Sequence, residues 1–115
     1  MIAISHALLA SKVSLPKPYT QTYTVTAYST HPSENGGYTI SKTGKKLGKG
    51  IIAVDPKHIP MGSRIYVPGY GWGVAEDIGG AIKGKHIDVC MPSRHSVSRW
   101  GRKKIQITIY PKKHK

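Results

Sequence analysis

AVDPKHIPMGSRIYVPGYGWGVAEDIGGAIKGKHIDVC, residues 53–90, is the stretch that decides the fold. Short apolar runs alternate here with turn chemistry. Ile51 to Val54 is a compact apolar run stopped by Asp55-Pro56, as a buried strand ending at its acid would be. Ile59-Pro60-Met61-Gly62 reads as a turn. Arg64 to Val67 is a strand closed by Pro68-Gly69, and Gly73 to Asp77 and His86 to Cys90 are two more.

Outward from this stretch the pattern continues. Tyr23 to Tyr28, YTVTAY, and Ile105 to Tyr110, IQITIY, both alternate and form the first and last strands. His31 to Gly37 reads as a loop, and 39–50 as short polar pieces broken by Gly44, Gly48 and Gly50. Ser93 to Trp100 suits one short helix with Ser93 as N-cap. About six short, closely spaced strands with one or two short helices predict an all-β chain, a small barrel or sandwich. Thirteen glycines and eight prolines agree with a turn-rich β fold rather than a helical bundle. Phe is absent, so Val, Ile, Tyr and Trp must supply the core, and these types suit strands.

At 115 residues, a single domain is expected. Residues 1–20 are assigned to an N-terminal arm or linker, 21–111 to the barrel and 112–115 to a basic tail. MIAISHALLA at the N-terminus is too short to span a bilayer and lacks the positive start of a clear signal peptide. Cys90 is the sole cysteine, which excludes an intrachain disulfide and reads as a small buried hydrophobe.

The net charge is +13, so an anionic partner such as nucleic acid, anionic lipid or an acidic wall polymer is expected, although a solubilising surface explains the same charge. Against this background the acids are few. The three aspartates Asp55, Asp77 and Asp88 all stand at strand ends in this reading, where several strands of a compact barrel can meet. Converging carboxylates raise one another's pKa, which is what a general acid near neutral pH needs. Gly79 and Gly80 let a ligand approach the backbone, and Lys83 offers a charge to it. Asp55 before Pro56 also suits a plain turn cap. Asp88, inside an apolar IDVC run, needs a partner or a job.

The stretch quoted above, followed by WGR at Trp100 to Arg102, resembles the three-aspartate (3D) domain. That domain belongs with the catalytic domain of membrane-bound lytic transglycosylase A and with small stationary-phase-survival-type muralytic proteins. The resemblance runs from about Tyr23 to Tyr110, and AEDIGGAIKG with a following IDV is its most specific string. It implies a six-stranded double-psi β-barrel. It implies a lytic transglycosylase, a peptidoglycan lyase that cuts between N-acetylmuramic acid and N-acetylglucosamine and leaves a 1,6-anhydro end. Carried over residue by residue, Asp88 matches the catalytic acid/base and Asp77 and Asp55 the supporting acids. Thr26, Tyr28 and the loop Gly79, Gly80, Ala81, Ile82 and Lys83 would line the glycan-binding groove. Ile78 stands where such domains usually carry Thr, Cys90 stands where an aromatic is common, and Lys42 lies in a loop similar to the family's small-residue loop. The implied setting is the cell envelope or a secreted protein, bacterial or phage-encoded. The implied partner is the peptidoglycan strand; the charge suits anionic wall polymers as well, and the chain is expected to act as a monomer.

No cofactor and no metal are expected. The six histidines show no close helical pair of the zinc type, although His86 and Asp88 share a strand face. No helix-turn-helix, zinc finger or RNP pattern accompanies the basic runs, so nucleic acid is not expected as a partner. Trp72, within GYGWGV, is either a sugar stacker on the groove floor or a core residue. Two other readings stay open: a glycan-binding barrel that does not cut, and a hydrolase using two carboxylates.

Overall fold

The computed structural model describes residues 17–31 and 39–112. Six strands and one helix follow in the order β1 (Tyr19–Ser29), β2 (Ile51–Ala53), β3 (Arg64–Val67), β4 (Gly71–Asp77), β5 (His86–Met91), α1 (Arg94–Trp100) and β6 (Lys103–Tyr110). The strands close into a barrel in the order β1-β5-β2-β4-β3-β6. Two pairs are parallel, β1/β5 and β2/β4, and the other four are antiparallel. The six-stranded, mainly β barrel expected from the sequence is the one observed.

Side-chain alternation explains the closure. Val25, Ile52, Ile65, Val67, Ala75, Ile87, Val89, Ile107 and Ile109 are fully buried and fill the interior together with Tyr23, Val54 and Ile59. The residues between them point outward, as the two-residue strand period requires. A second, smaller cluster lies on the outer surface: Tyr28, Leu47, Ala53, Ile82 and Cys90. The loops before β2 and after β4 supply Leu47 and Ile82 and so cover this part of the sheet.

The helix forms where its cap is. Ser93 accepts the Ser96 N–H, and Ser96 returns a bond to the Ser93 N–H, which completes a capping box. Gly101 ends the helix at φ 70°, in the left-handed region that glycine tolerates. Trp100 is buried, and its indole N–H donates to the Val25 carbonyl at 3.1 Å, locking the helix onto β1.

Several boundaries differ from the sequence reading. β1 starts at Tyr19, inside the segment assigned to the arm, because Tyr19 pairs with Ile109 of β6. Lys112, placed in the tail, donates its backbone N–H to Ser63 Oγ at 3.0 Å. Residues 1–16, most of the loop after His31 and residues 113–115 lie outside the described residues. Among the described residues, no helix is long and apolar enough to cross a membrane.

Candidate functional site

Asp88 is not at a strand end. It is the third residue of β5 and lies directly across the β1/β5 register from Thr26. Ile87 and Val89 point into the core, so Asp88, His86 and Cys90 share the outer side of the strand. Thr26 and Tyr28 share the outer side of β1 for the same reason, on either side of Ala27, which with Val25 packs toward the interior. The Thr26 hydroxyl donates to Asp88 Oδ1 at 3.0 Å and stands 2.8 Å from His86 Nε2. The hydroxyl thus sits between the His86 imidazole and the Asp88 carboxylate. Burial, followed by the charge of Arg102, lowers the His86 pKa, so neutral imidazole is favoured.

A β-bulge brings Asp77 to the same surface. Ile52 pairs with Ala75, but the next residue, Ala53, pairs with Asp77, skipping Glu76. Strict alternation would turn Asp77 inward with Gly73 and Ala75. The extra residue turns it outward, as bulges beside functional sites commonly do. Asp77 Oδ1 then accepts the backbone N–H groups of Lys42 at 2.9 Å and Ile78 at 3.0 Å, and Oδ2 accepts the Tyr28 hydroxyl at 3.3 Å. Burial, with the charges around it, pushes the Tyr28 pKa far up, so this phenol stays protonated as a donor. Ala53 pairs with Asp77 on one side and Asp88 on the other. The two aspartates are therefore two strand spacings apart, about 10 Å between Cα atoms.

Asp55 behaves differently. Its Oδ1 accepts the Lys57 N–H at 3.0 Å, and its Oδ2 accepts the Gly84 N–H at 2.9 Å. His58 Nδ1 stands 3.5 Å from Oδ2. The Gly84 and Lys57 N–H bonds hold its carboxyl below the ordinary carboxylate range. This reverses, at Asp55, the expectation that converging carboxylates raise one another. Asp55 caps its own turn and also ties down the far end of the 79–84 loop.

Two loops pack on this side of the sheet. One is the loop 41–46, docked on the end of β4 by Asp77 and by Glu76, whose carboxylate accepts the Thr43 hydroxyl at 2.6 Å. The other is the loop of Gly79, Gly80, Ala81, Ile82 and Lys83, held from beneath by Ile82 in the outer apolar cluster and at its end by Asp55. Lys42, Lys45, Lys46 and Lys83 are exposed on these loops. Cys90 is fully buried beneath them, and burial raises its thiol pKa, which suits packing rather than reactivity. Among the described residues, no three His, Cys, Asp or Glu side chains group as a metal site would need.

Trp72 does not belong to this groove. It is half exposed on the outer side of β4, five residues before Asp77, beside Tyr66 and Tyr110. The sequence reading missed Glu76 as a loop anchor and His86 as the partner of Thr26. The i, i+2 relation of His86 to Asp88 was the available signal for the second.

Comparison with known proteins assigns the chain to a family. The sequence profile of the 3D domain matches residues 50–111, more than half of the chain, and the chain belongs to that family. It is 46% identical over 93 residues to the cell wall-binding protein YocH of Bacillus subtilis, covering 76% of this chain and 31% of that one. It is 43% identical over 90 residues to the putative cell wall shaping protein YabE of the same organism, covering 76% and 22%. Among solved structures, the lytic transglycosylase MltA from Escherichia coli is similar at 25% identity and a TM-score of 0.48, over 61% of this chain and 26% of that one. The chain thus spans about a third or less of the length of these proteins.

Proposed function

We propose that this chain acts on the bacterial cell wall as a lytic transglycosylase, cutting peptidoglycan between N-acetylmuramic acid and N-acetylglucosamine with Asp88 as its acid/base. One observation supports the reading: Asp88 lies on the outer face of β5 with its carboxylate beside the Thr26 hydroxyl, on the side of the sheet where Asp77 and Ile82 of the 79–83 loop also lie. A transglycosylase needs one carboxyl that can exchange a proton, held in a groove that admits a glycan.

Protonated Asp88 gives its proton to the glycosidic oxygen as the bond to C1 of the muramoyl residue breaks. The resulting carboxylate takes the proton of the same sugar's C6 hydroxyl as O6 bonds to C1. One C–O bond breaks, one forms, and Asp88 ends as it began. Thr26 orients the carboxyl, the Gly79-Gly80 segment admits the sugar backbone closely, and the lysines on the two loops attract the anionic polymer. Asp77 and Asp55 act as positioning residues.

A second reading is favoured by the name of YocH as a cell wall-binding protein: a barrel that grips glycan without cutting it. Mass spectrometry of muropeptides released from purified peptidoglycan separates the two. Anhydro-ended products from the parent chain and none from Asp88→Asn support the transglycosylase. Reducing ends assign a hydrolase instead. Sedimentation with the wall and no release by either protein assigns the binding module.

A further inference from the structure

On the side of the barrel away from Asp88, the sheet carries a second surface. β3 lies three strands from β5 in either direction around the barrel, so its outer face is opposite that of Asp88. Arg64 and Tyr66 point outward from β3, Trp72 from β4, and Thr108 and Tyr110 from β6. Register sets them side by side: Tyr66 pairs with Trp72 and with Thr108, and Arg64 pairs with Tyr110. The Tyr66 and Trp72 rings meet edge-on at 5.4 Å, and the Trp72 and Tyr110 rings are tilted at 5.2 Å. The Arg64 guanidinium lies 5.0 Å from both the Trp72 and the Tyr110 ring.

This cluster is not core. Trp72 is 50% exposed and Tyr66 39%. Among the described residues Arg64 has no carboxylate within ion-pair distance; the aromatic rings hold its guanidinium in place. Exposed Trp, Tyr and Arg packed on one rigid sheet face are the residue types that dominate binding surfaces. Aromatic faces take the C–H face of a sugar ring, and the Thr108 and Tyr hydroxyls can bond sugar hydroxyls. The guanidinium, already oriented by stacking, is complementary to a carboxylate carried by the same polymer.

We propose that the outer face of β3, with Trp72, Tyr66, Tyr110 and Arg64, is a second glycan-binding surface that holds a peptidoglycan strand through its sugar rings and stem-peptide carboxylates. It rests on the reading that the chain works at the cell wall, but it does not need Asp88 to be catalytic. The groove and this platform face opposite ways, so one barrel can hold one strand while another occupies the groove.

The test is sedimentation of the chain carrying Asp88→Asn with insoluble peptidoglycan stripped of its attached anionic polymers. Trp72→Ala and Arg64→Gln are each added, and their melting curves verify folding. Each is expected to weaken binding by about tenfold, the effect of truncating an aromatic or arginine anchor. Tyr66→Ser serves as a further folded variant should Trp72→Ala lower the melting temperature. Undiminished binding by the folded variants overturns the proposal, and so does failure of the parent to sediment. A loss seen only on walls that retain their anionic polymers also overturns it, by assigning the platform to those polymers. Product release is scored separately, so a failure of the platform and a failure of the Asp88 chemistry are distinguishable.

Discussion

Thr26 holds Asp88 from across a parallel strand pair, hydroxyl to carboxylate at 3.0 Å, although the two are sixty-two positions apart in the chain. Removing this hydroxyl takes one hydrogen bond from the carboxyl. Thr26→Val is expected to lower turnover on peptidoglycan by up to about a hundredfold, the scale of a small misplacement of a reacting group. Wall binding should stay within a few-fold, and Thr26→Ser should restore much of the rate. Equal loss of binding and turnover in Thr26→Val would show a structural role instead.

Asp77 braces the 41–46 loop through the Lys42 N–H. Asp77→Ala leaves that N–H to water, since the bond is at the surface. The buried Tyr28 hydroxyl also loses its acceptor, so global stability should fall by about 1–3 kcal/mol. The loop should loosen much more. Trypsin cleavage after Lys42, Lys45 or Lys46 is expected to accelerate in Asp77→Ala and less so in Asp77→Asn, which keeps an acceptor. Unchanged cleavage rates in both variants would remove the bracing role.

Acid should unfold the chain in two stages. The His86 pKa is lowered in the fold, so its contribution is present above the ordinary imidazole value of 6.5 and is lost as pH falls below it. The Asp55 pKa is also lowered, so its contribution is present above the ordinary value of 3.8 and is lost as pH falls from there toward the folded value. Melting temperature measured against pH should decline first in the imidazole range and again in the carboxylate range. Asp55→Asn should flatten the second decline and leave the first.

Tyr70 joins two strands inside the barrel wall. Its hydroxyl accepts the Gly50 N–H at 2.6 Å and donates to the Cys90 carbonyl at 2.7 Å, and burial pushes its pKa up to about 12. Tyr70→Phe leaves the Cys90 carbonyl without this donor in a buried place. A loss of about 1–3 kcal/mol in urea unfolding is expected. Loss of only a few tenths would mean that water replaces the hydroxyl.

Alternation made most of the barrel legible. Arg64 to Val67 matches β3 at both ends, and the capped helix follows Ser93 as expected. The face of Asp77 is what alternation does not give. A bulge depends on how β2 and β4 pair, and nothing local to GVAED announces it. The same limit hid the separate role of Asp55, because its partner Gly84 arrives from 29 positions away. The sequence leaves Trp72 as either a groove-floor stacker or a core residue, and only the register of β3 and β6 shows that Tyr66, Tyr110 and Arg64 join it on an outer face.

A closed sheet also has a consequence for crowding. A strongly cationic chain drawn to an anionic polymer accumulates there at high local density, where an unpaired strand edge would recruit neighbouring copies into intermolecular sheets. Each of the six strands here has a partner on both sides. Among the described residues, closure confines one-sided pairing to strand ends, such as 19–23 of β1 and 103–107 of β6, so a second copy meets far less open backbone than an open sheet would present.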